Sequence, residues 1–109
     1  MRRIHYAGEH LLTGDAIADG VIAYAEALAS VDRASSVEVP VRREDGGLGS
    51  VTILIGPASQ MVSEAVTSEY DEVVDDELVA WLRERRDALR PIRALPVDEV
   101  DPRFVEFDA

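Results

Sequence analysis

The chain of 109 residues has no cysteine, no lysine, few aromatic residues and no long apolar run. The absence of cysteine excludes disulfide bonds, cysteine-ligated zinc sites and thiol catalysis. No apolar run approaches the roughly 18 residues that span a bilayer, and the opening MRRIHYAGEH lacks the apolar stretch of a secretory signal. We therefore predict a cytoplasmic protein that does not bind membranes.

The net charge of -11 is unevenly distributed along the chain. Residues 1–60 hold eight acidic residues against five arginines, whereas residues 61–109 hold fourteen against six. An acidic surface repels phosphate backbones and anionic lipids, so direct binding to nucleic acid is not expected. The charge suits a basic protein partner, or it serves solubility alone.

The element that the sequence predicts most clearly is a β-hairpin within residues 37–55. Valines alternate with polar residues in VEVPV, β-branched residues alternate in VTILI, and the glycine-rich EDGGLG lies between the two runs. Alternation of this kind is typical of half-buried strands, and the glycines predict the connecting turn. Because Pro40 has no N–H to donate, the first of these strands is expected either at a sheet edge or with its proline at an outward position.

An amphipathic helix is predicted before the hairpin, in residues 13–30. Its apolar positions recur with helical spacing and form a stripe broad enough to lie flat on a sheet. Thr13 is the expected N-cap, and Asp15 favours the positive end of the helix dipole. Gly20 costs about 1 kcal/mol against alanine in a helix interior; either its small size lets another element come close or it is a tolerated weakness.

Three weaker elements complete the prediction. RIHYA near the start and QMVSEAV after the hairpin are expected to be short strands, and a second helix is expected from 75 to 89, stopped by Pro91. The fold class is therefore α+β, in the order β-α-β-β-(β)-α. We expect a small antiparallel sheet with one helix packed across it, followed by a C-terminal helical arm and an extended tail.

The composition divides the chain into three parts. Residues 1–66 are predicted to form the α+β core domain, and residues 67–77, TSEYDEVVDDE, an exposed acidic linker. Residues 78–109 contain the second helix and an apolar, proline-containing tail that holds both phenylalanines, Phe104 and Phe107. A tail this apolar is expected to lie against another surface.

Three short motifs were weighed for chemistry, and each has a simpler structural explanation. His5, Glu9 and His10 have ligand chemistry but not the helical spacing of a zinc hydrolase. Ser59, in the corner GPASQ, lacks the flanking pattern of a nucleophile elbow, and Ser59 or Gln60 is expected to cap a turn. The helix start LLTGDA lacks the residues of a phosphate loop. We predict no catalytic residue, metal ion or cofactor.

The C-terminal half is therefore the predicted functional region. Three arrangements are open: the second helix and tail pack within the chain, they pair two chains in a homodimer, or they dock onto a different protein. We expect a non-enzymatic interaction module of accessory, antitoxin-like or immunity-like character. The alternatives are a self-assembling subunit and, third, a small metal-dependent enzyme. The predicted partner-binding anchors are Trp81, Leu82, Leu89, Phe104 and Phe107.

Overall fold

The computed structural model describes residues 1–89. This part of the chain contains five strands and two helices: β1 (Arg2–Tyr6), β2 (Glu9–Thr13), α1 (Asp15–Ser30), β3 (Ser35–Arg42), β4 (Leu48–Ile55), β5 (Met61–Ala65) and α2 (Asp76–Ala88). The predicted α+β class is confirmed, as are the hairpin, both helices and the strand that follows the hairpin.

The strands form two antiparallel sheets where a single sheet was expected. One has the order β2-β1-β5, and the other is the two-stranded hairpin β3-β4. Strand β5 pairs with β1, with Ile4 opposite Ser63, and not with the hairpin. Local sequence patterns predict strands but not their partners, which explains why the sheets were not separated in the prediction.

The sequence prediction missed β2 and misassigned Thr13. Residues 9–13, EHLLT, carry two adjacent leucines and do not alternate, so they resemble the lead-in to a helix. Thr13 ends β2, and its hydroxyl donates a hydrogen bond to the Pro40 carbonyl at 2.8 Å, which joins the two sheets. The N-cap of α1 is Gly14, which has no side chain of its own to cap the helix.

The β1–β2 turn is a tight two-residue connection through Ala7 and Gly8. Both residues have positive φ, 53° and 81°, as a type I′ turn requires. Alanine is strained in this region because its Cβ approaches the carbonyl oxygen.

We expect Ala7→Asn to raise the free energy of unfolding by about 1 kcal/mol, since Asn-Gly is the preferred pair for this turn. Urea titration of the two proteins measures this difference; an unchanged or lower midpoint would contradict it.

The core lies between α1 and the inner faces of both sheets. The helix buries one stripe, as its spacing predicts, and the strands contribute alternating residues. The buried apolar side chains from these elements are Ile4, Leu11, Ile17, Ala18, Val21, Tyr24, Leu28, Val37, Val39, Val41, Ile53 and Ile55.

Helix α2 packs on the side of α1 within the same chain. Leu82 is fully buried, and a Cβ built on Gly20 of α1 would lie 3.1 Å from the Leu82 Cδ1 atom. The small size of Gly20 therefore does admit a close neighbour. Intramolecular packing is thus the arrangement that the structure shows for α2.

Candidate functional site

Large apolar side chains are exposed at two places among the described residues. Leu48, Leu54 and Val62 project from strands, and Tyr70, Val74 and Trp81 project from residues 70–81. The second group coincides with the acidic run, because residues 67–77 contain six acidic residues and no basic one. We call residues 67–77 together with the exposed side of α2 the C-terminal surface.

Residues 67–77 are fastened to the core at several points. An Arg42 guanidinium nitrogen donates to the Asp71 carbonyl at 2.9 Å, and the same guanidinium lies 6.0 Å from the centre of the Tyr70 ring. The Tyr70 ring also covers Gly46 in the hairpin turn, where any side chain would meet it. The segment is therefore held along the hairpin, although it was predicted to be an exposed linker.

Val73 is the largest departure from the predicted exposed linker. It is 5% exposed and belongs to the core, whereas its neighbour Val74 is 68% exposed. The Val73 carbonyl lies directly over Gly14, where a Cβ would overlap it. The prediction of an exposed segment is wrong at this residue, because one valine in an acidic run gives no periodic signal.

Glu72 joins the segment to the start of the chain. Its carboxylate lies 3.0 Å from the Met1 amino group, which is also 3.0 Å from the Asp15 carboxylate. Glu72 further accepts a hydrogen bond from the Asp15 backbone N–H. Hydrogen bonds from the Met1 ammonium to Asp15 and then to Glu72 raise the pKa of this amino group above its ordinary value.

This cluster predicts that blocking the amino group of a chain that begins at Met1 destabilises the fold. A raised folded-state pKa means that the stabilisation is complete below about pH 8, the unfolded value, and is lost as pH rises through the folded value. We therefore expect acetylation of Met1 to lower the melting temperature at pH 7. The difference should shrink progressively above pH 8. A difference independent of pH would contradict the assignment.

Helix α2 presents Trp81 beside this segment. Asp75, where the second helix was predicted to begin, caps α2 by accepting a hydrogen bond from the Leu78 N–H at 3.0 Å. The Trp81 ring meets the edge of Tyr24 at 5.8 Å between ring centroids, and the Arg85 guanidinium lies 5.9 Å from its centre. Trp81 nevertheless remains 41% exposed, so the indole is positioned from one side and open on the other.

The five predicted anchors differ in their exposure to solvent. Trp81 is exposed, and Leu89 is half-buried against the core at the end of α2. Leu82 is fully buried against α1, so in this structure its side chain packs in the core and does not reach the surface. Phe104 and Phe107 lie outside the described residues. Tyr70 and Val74 were not predicted, since isolated apolar residues in an acidic run carry no pattern.

The corner GPASQ borders an open groove between the β1–β2 turn and the end of β4. The Ser59 hydroxyl accepts a hydrogen bond from the Gly56 N–H at 2.9 Å, so Ser59 has the predicted turn-capping role. Across the groove, the Tyr6 hydroxyl donates to the Leu54 carbonyl and ties the two sheets together. These contacts give the corner a structural explanation.

The histidines lie beside the same groove on the outer face of their sheet. His5 and His10 are directly opposite on β1 and β2, and the His5 Nε2 atom lies 3.0 Å from Glu64. This hydrogen bond from His5 lowers the pKa of the Glu64 carboxyl. Glu9 projects from the opposite face of β2 because strand residues alternate. Within residues 1–89, no three histidine or acidic side chains are grouped closely enough to hold a metal ion.

Comparison with known proteins found no matching family model, no matching curated protein and no matching solved structure. Neither of the helices in residues 1–89 is long and apolar enough to cross a membrane.

Proposed function

We propose that the protein is a non-enzymatic cytoplasmic interaction module that binds a basic protein partner through its C-terminal surface. The observation that supports this most strongly is Trp81, a large aromatic side chain left 41% exposed on a helix whose next residue, Leu82, is fully buried against α1. Tryptophan is enriched among the residues that dominate binding energy at protein interfaces.

The charge of the surface selects the kind of partner. Six acidic residues precede Trp81 within residues 67–77, and opposite charges accelerate diffusional encounter more than they add final affinity. The acidic segment therefore steers a basic surface toward α2. Trp81 and Val74 then supply the apolar contact.

The contacts that hold residues 67–77 to the core favour tight binding. Because Arg42, Glu72 and Val73 hold the segment to the core before any partner arrives, little conformational entropy is lost on association. The Tyr24 edge contact restricts the Trp81 ring in the same way. The surface is thus ordered in advance of binding.

The test is a comparison of affinity capture from the source cells by the full-length protein and by Trp81→Ala. We expect a basic protein that the wild type retains to be lost with Trp81→Ala, with affinity reduced about 30-fold or more, which corresponds to about 2 kcal/mol. Its retention should also weaken as the salt concentration rises, because salt screens charge attraction.

Val62→Ala is the matched control. Val62 is 61% exposed and lies opposite His5 on the outer face of its sheet, outside the C-terminal surface, so its loss should leave capture unchanged. Circular dichroism confirms that both variants are folded. Equal retention of the same partner by wild type and Trp81→Ala would remove the proposed role of Trp81.

A further inference from the structure

Strand β4 has one edge without a strand partner among the described residues. The hairpin sheet contains β3 and β4 alone, and the other edge of β3 is occupied by β2, where the Thr13 hydroxyl reaches the Pro40 carbonyl. An unpaired strand edge presents backbone donors and acceptors in a row. The free edge of β4 is therefore a template for another strand.

Two carbonyl groups show which residues of β4 direct their backbone N–H and C=O groups away from β3. Pro40 lies opposite Ser50, and Ser36 lies opposite Leu54. The carbonyls of Pro40 and Leu54 accept hydrogen bonds from side chains outside the hairpin. Both residue pairs are therefore non-hydrogen-bonded pairs, in which the backbone N–H and C=O groups of each residue point away from the partner strand. Since this type alternates along the ladder, Leu48, Ser50 and Thr52 also direct their backbone groups to the free edge.

This edge lacks the features that normally prevent pairing. Strand β3 carries Glu38, Pro40 and Arg42, whereas LGSVTILI of β4 contains no charge and no proline. Natural edge strands are usually protected by charged residues, prolines or bulges. In a chain with a net charge of -11, an unprotected strand of eight residues stands out.

We propose that β4 pairs antiparallel with β4 of a second copy, about a two-fold axis at Ser50. The Tyr6 hydroxyl occupies the Leu54 carbonyl, which leaves the stretch from Leu48 to Thr52 for pairing. In this register Ser50 faces its own symmetry mate and Leu48 faces Thr52 of the other chain. Every outward N–H and C=O then meets an outward partner, because all of these residues have the same orientation.

The charge pattern favours a second copy over a foreign strand. A basic partner is attracted to carboxylates, and β4 has none of its own; the Glu38 carboxylate of β3, which accepts a hydrogen bond from the Ser50 hydroxyl at 2.6 Å, is already paired within the hairpin. Two copies of an acidic protein repel each other over most of their surfaces, so an uncharged strand is where they approach at least cost. The two-fold arrangement is also the commonest symmetry of protein dimers.

Light scattering on the full-length protein across a range of concentrations tests the proposal. We expect a concentration-dependent doubling of mass, and an increase of about tenfold or more in the dimer dissociation constant for Thr52→Lys. The new lysine lies opposite Glu38, so it can pair within the hairpin. Val62→Lys is the control, because it adds the same charge at another exposed strand position, and it should still dimerise. A wild type that is monomeric throughout, or a Thr52→Lys dimer as stable as the wild type, would overturn the proposal.

A second variant and an exchange measurement guard against misfolding. Ser50→Pro removes an N–H that points away from β3, so it spares the hairpin ladder and should also give a folded monomer. In the wild type, the amide hydrogens of Ser50 and Thr52 should exchange more slowly as concentration rises. Rapid exchange of both amides at concentrations where the protein is a dimer would place the interface elsewhere and overturn the proposal.

Discussion

Replacement of Leu82 by alanine is expected to lower the free energy of unfolding by about 2–5 kcal/mol. Leu82 is fully buried between the helices, and its side chain packs on Gly20, which has no side chain of its own to fill a space. Truncation therefore leaves a cavity between α1 and α2 as well as losing the buried apolar surface. Chemical denaturation monitored by circular dichroism measures the change.

The comparison for Leu82→Ala is Leu48→Ala, in which the leucine removed is 65% exposed. This change should alter stability by less than about 0.5 kcal/mol. A small effect at Leu82 would mean that α2 is not docked on α1, and the fixed position of Trp81 would no longer be supported.

The second large effect is expected at Gly14. The Val73 carbonyl lies where a Cβ on this residue would be placed. The carbonyl belongs to the backbone and the backbone of residue 14 fixes the Cβ position, so no rotamer change relieves the overlap. Gly14→Ala should lower the free energy of unfolding by at least about 2 kcal/mol. It should also separate the acidic segment from α1, which accelerates amide exchange in residues 71–75.

Gly47→Ala is the matched control for Gly14→Ala. A Cβ on Gly47 would approach only an Asp45 side-chain oxygen in the exposed hairpin turn, so we expect a loss of less than about 1 kcal/mol. Equal effects of the two alanines would show that Val73 does not lie over the start of α1.

The elements that could be predicted from the sequence are those with a periodic pattern. Helix α1, the β3–β4 hairpin and the capped start of α2 at Asp75 each combine apolar periodicity with the residues that begin or end such elements. The fold class follows from them. Strand β2 was missed because Leu11 and Leu12 are adjacent, and Thr13 has the chemistry of a cap while its hydroxyl bonds across to Pro40.

The candidate site could be predicted only in part, for a different reason. Trp81 and Leu82 were both predicted as anchors of a partner, but only Trp81 is exposed, whereas Leu82 is buried against α1. The attachment of residues 67–77 depends on contacts with Met1, Gly14, Arg42 and Gly46, all distant in sequence. Such long-range contacts leave no local signal, so the segment resembled a free linker.

The unpaired edge of β4 shows the same difference between a local pattern, which the sequence reveals, and long-range contacts, which it does not. The alternation of VTILI predicted a strand whose inner face is buried, and the structure confirms this for Ile53 and Ile55. Whether its edge is covered depends on the positions of β2 and β5, which the sequence does not reveal. The proposed pairing with a second copy thus rests on the topology, not on the strand pattern.

The central claim is that Trp81 is buried by a basic partner, and a fluorine label on this residue tests it most directly. Because the chain has one tryptophan, protein grown with 5-fluorotryptophan gives a single ¹⁹F resonance, which reports the surroundings of this indole. The account predicts that this resonance shifts or broadens as the captured partner is added, and that an added water-soluble paramagnetic reagent broadens it less in the complex. A resonance with unchanged position and unchanged solvent exposure at saturating partner would contradict the claim.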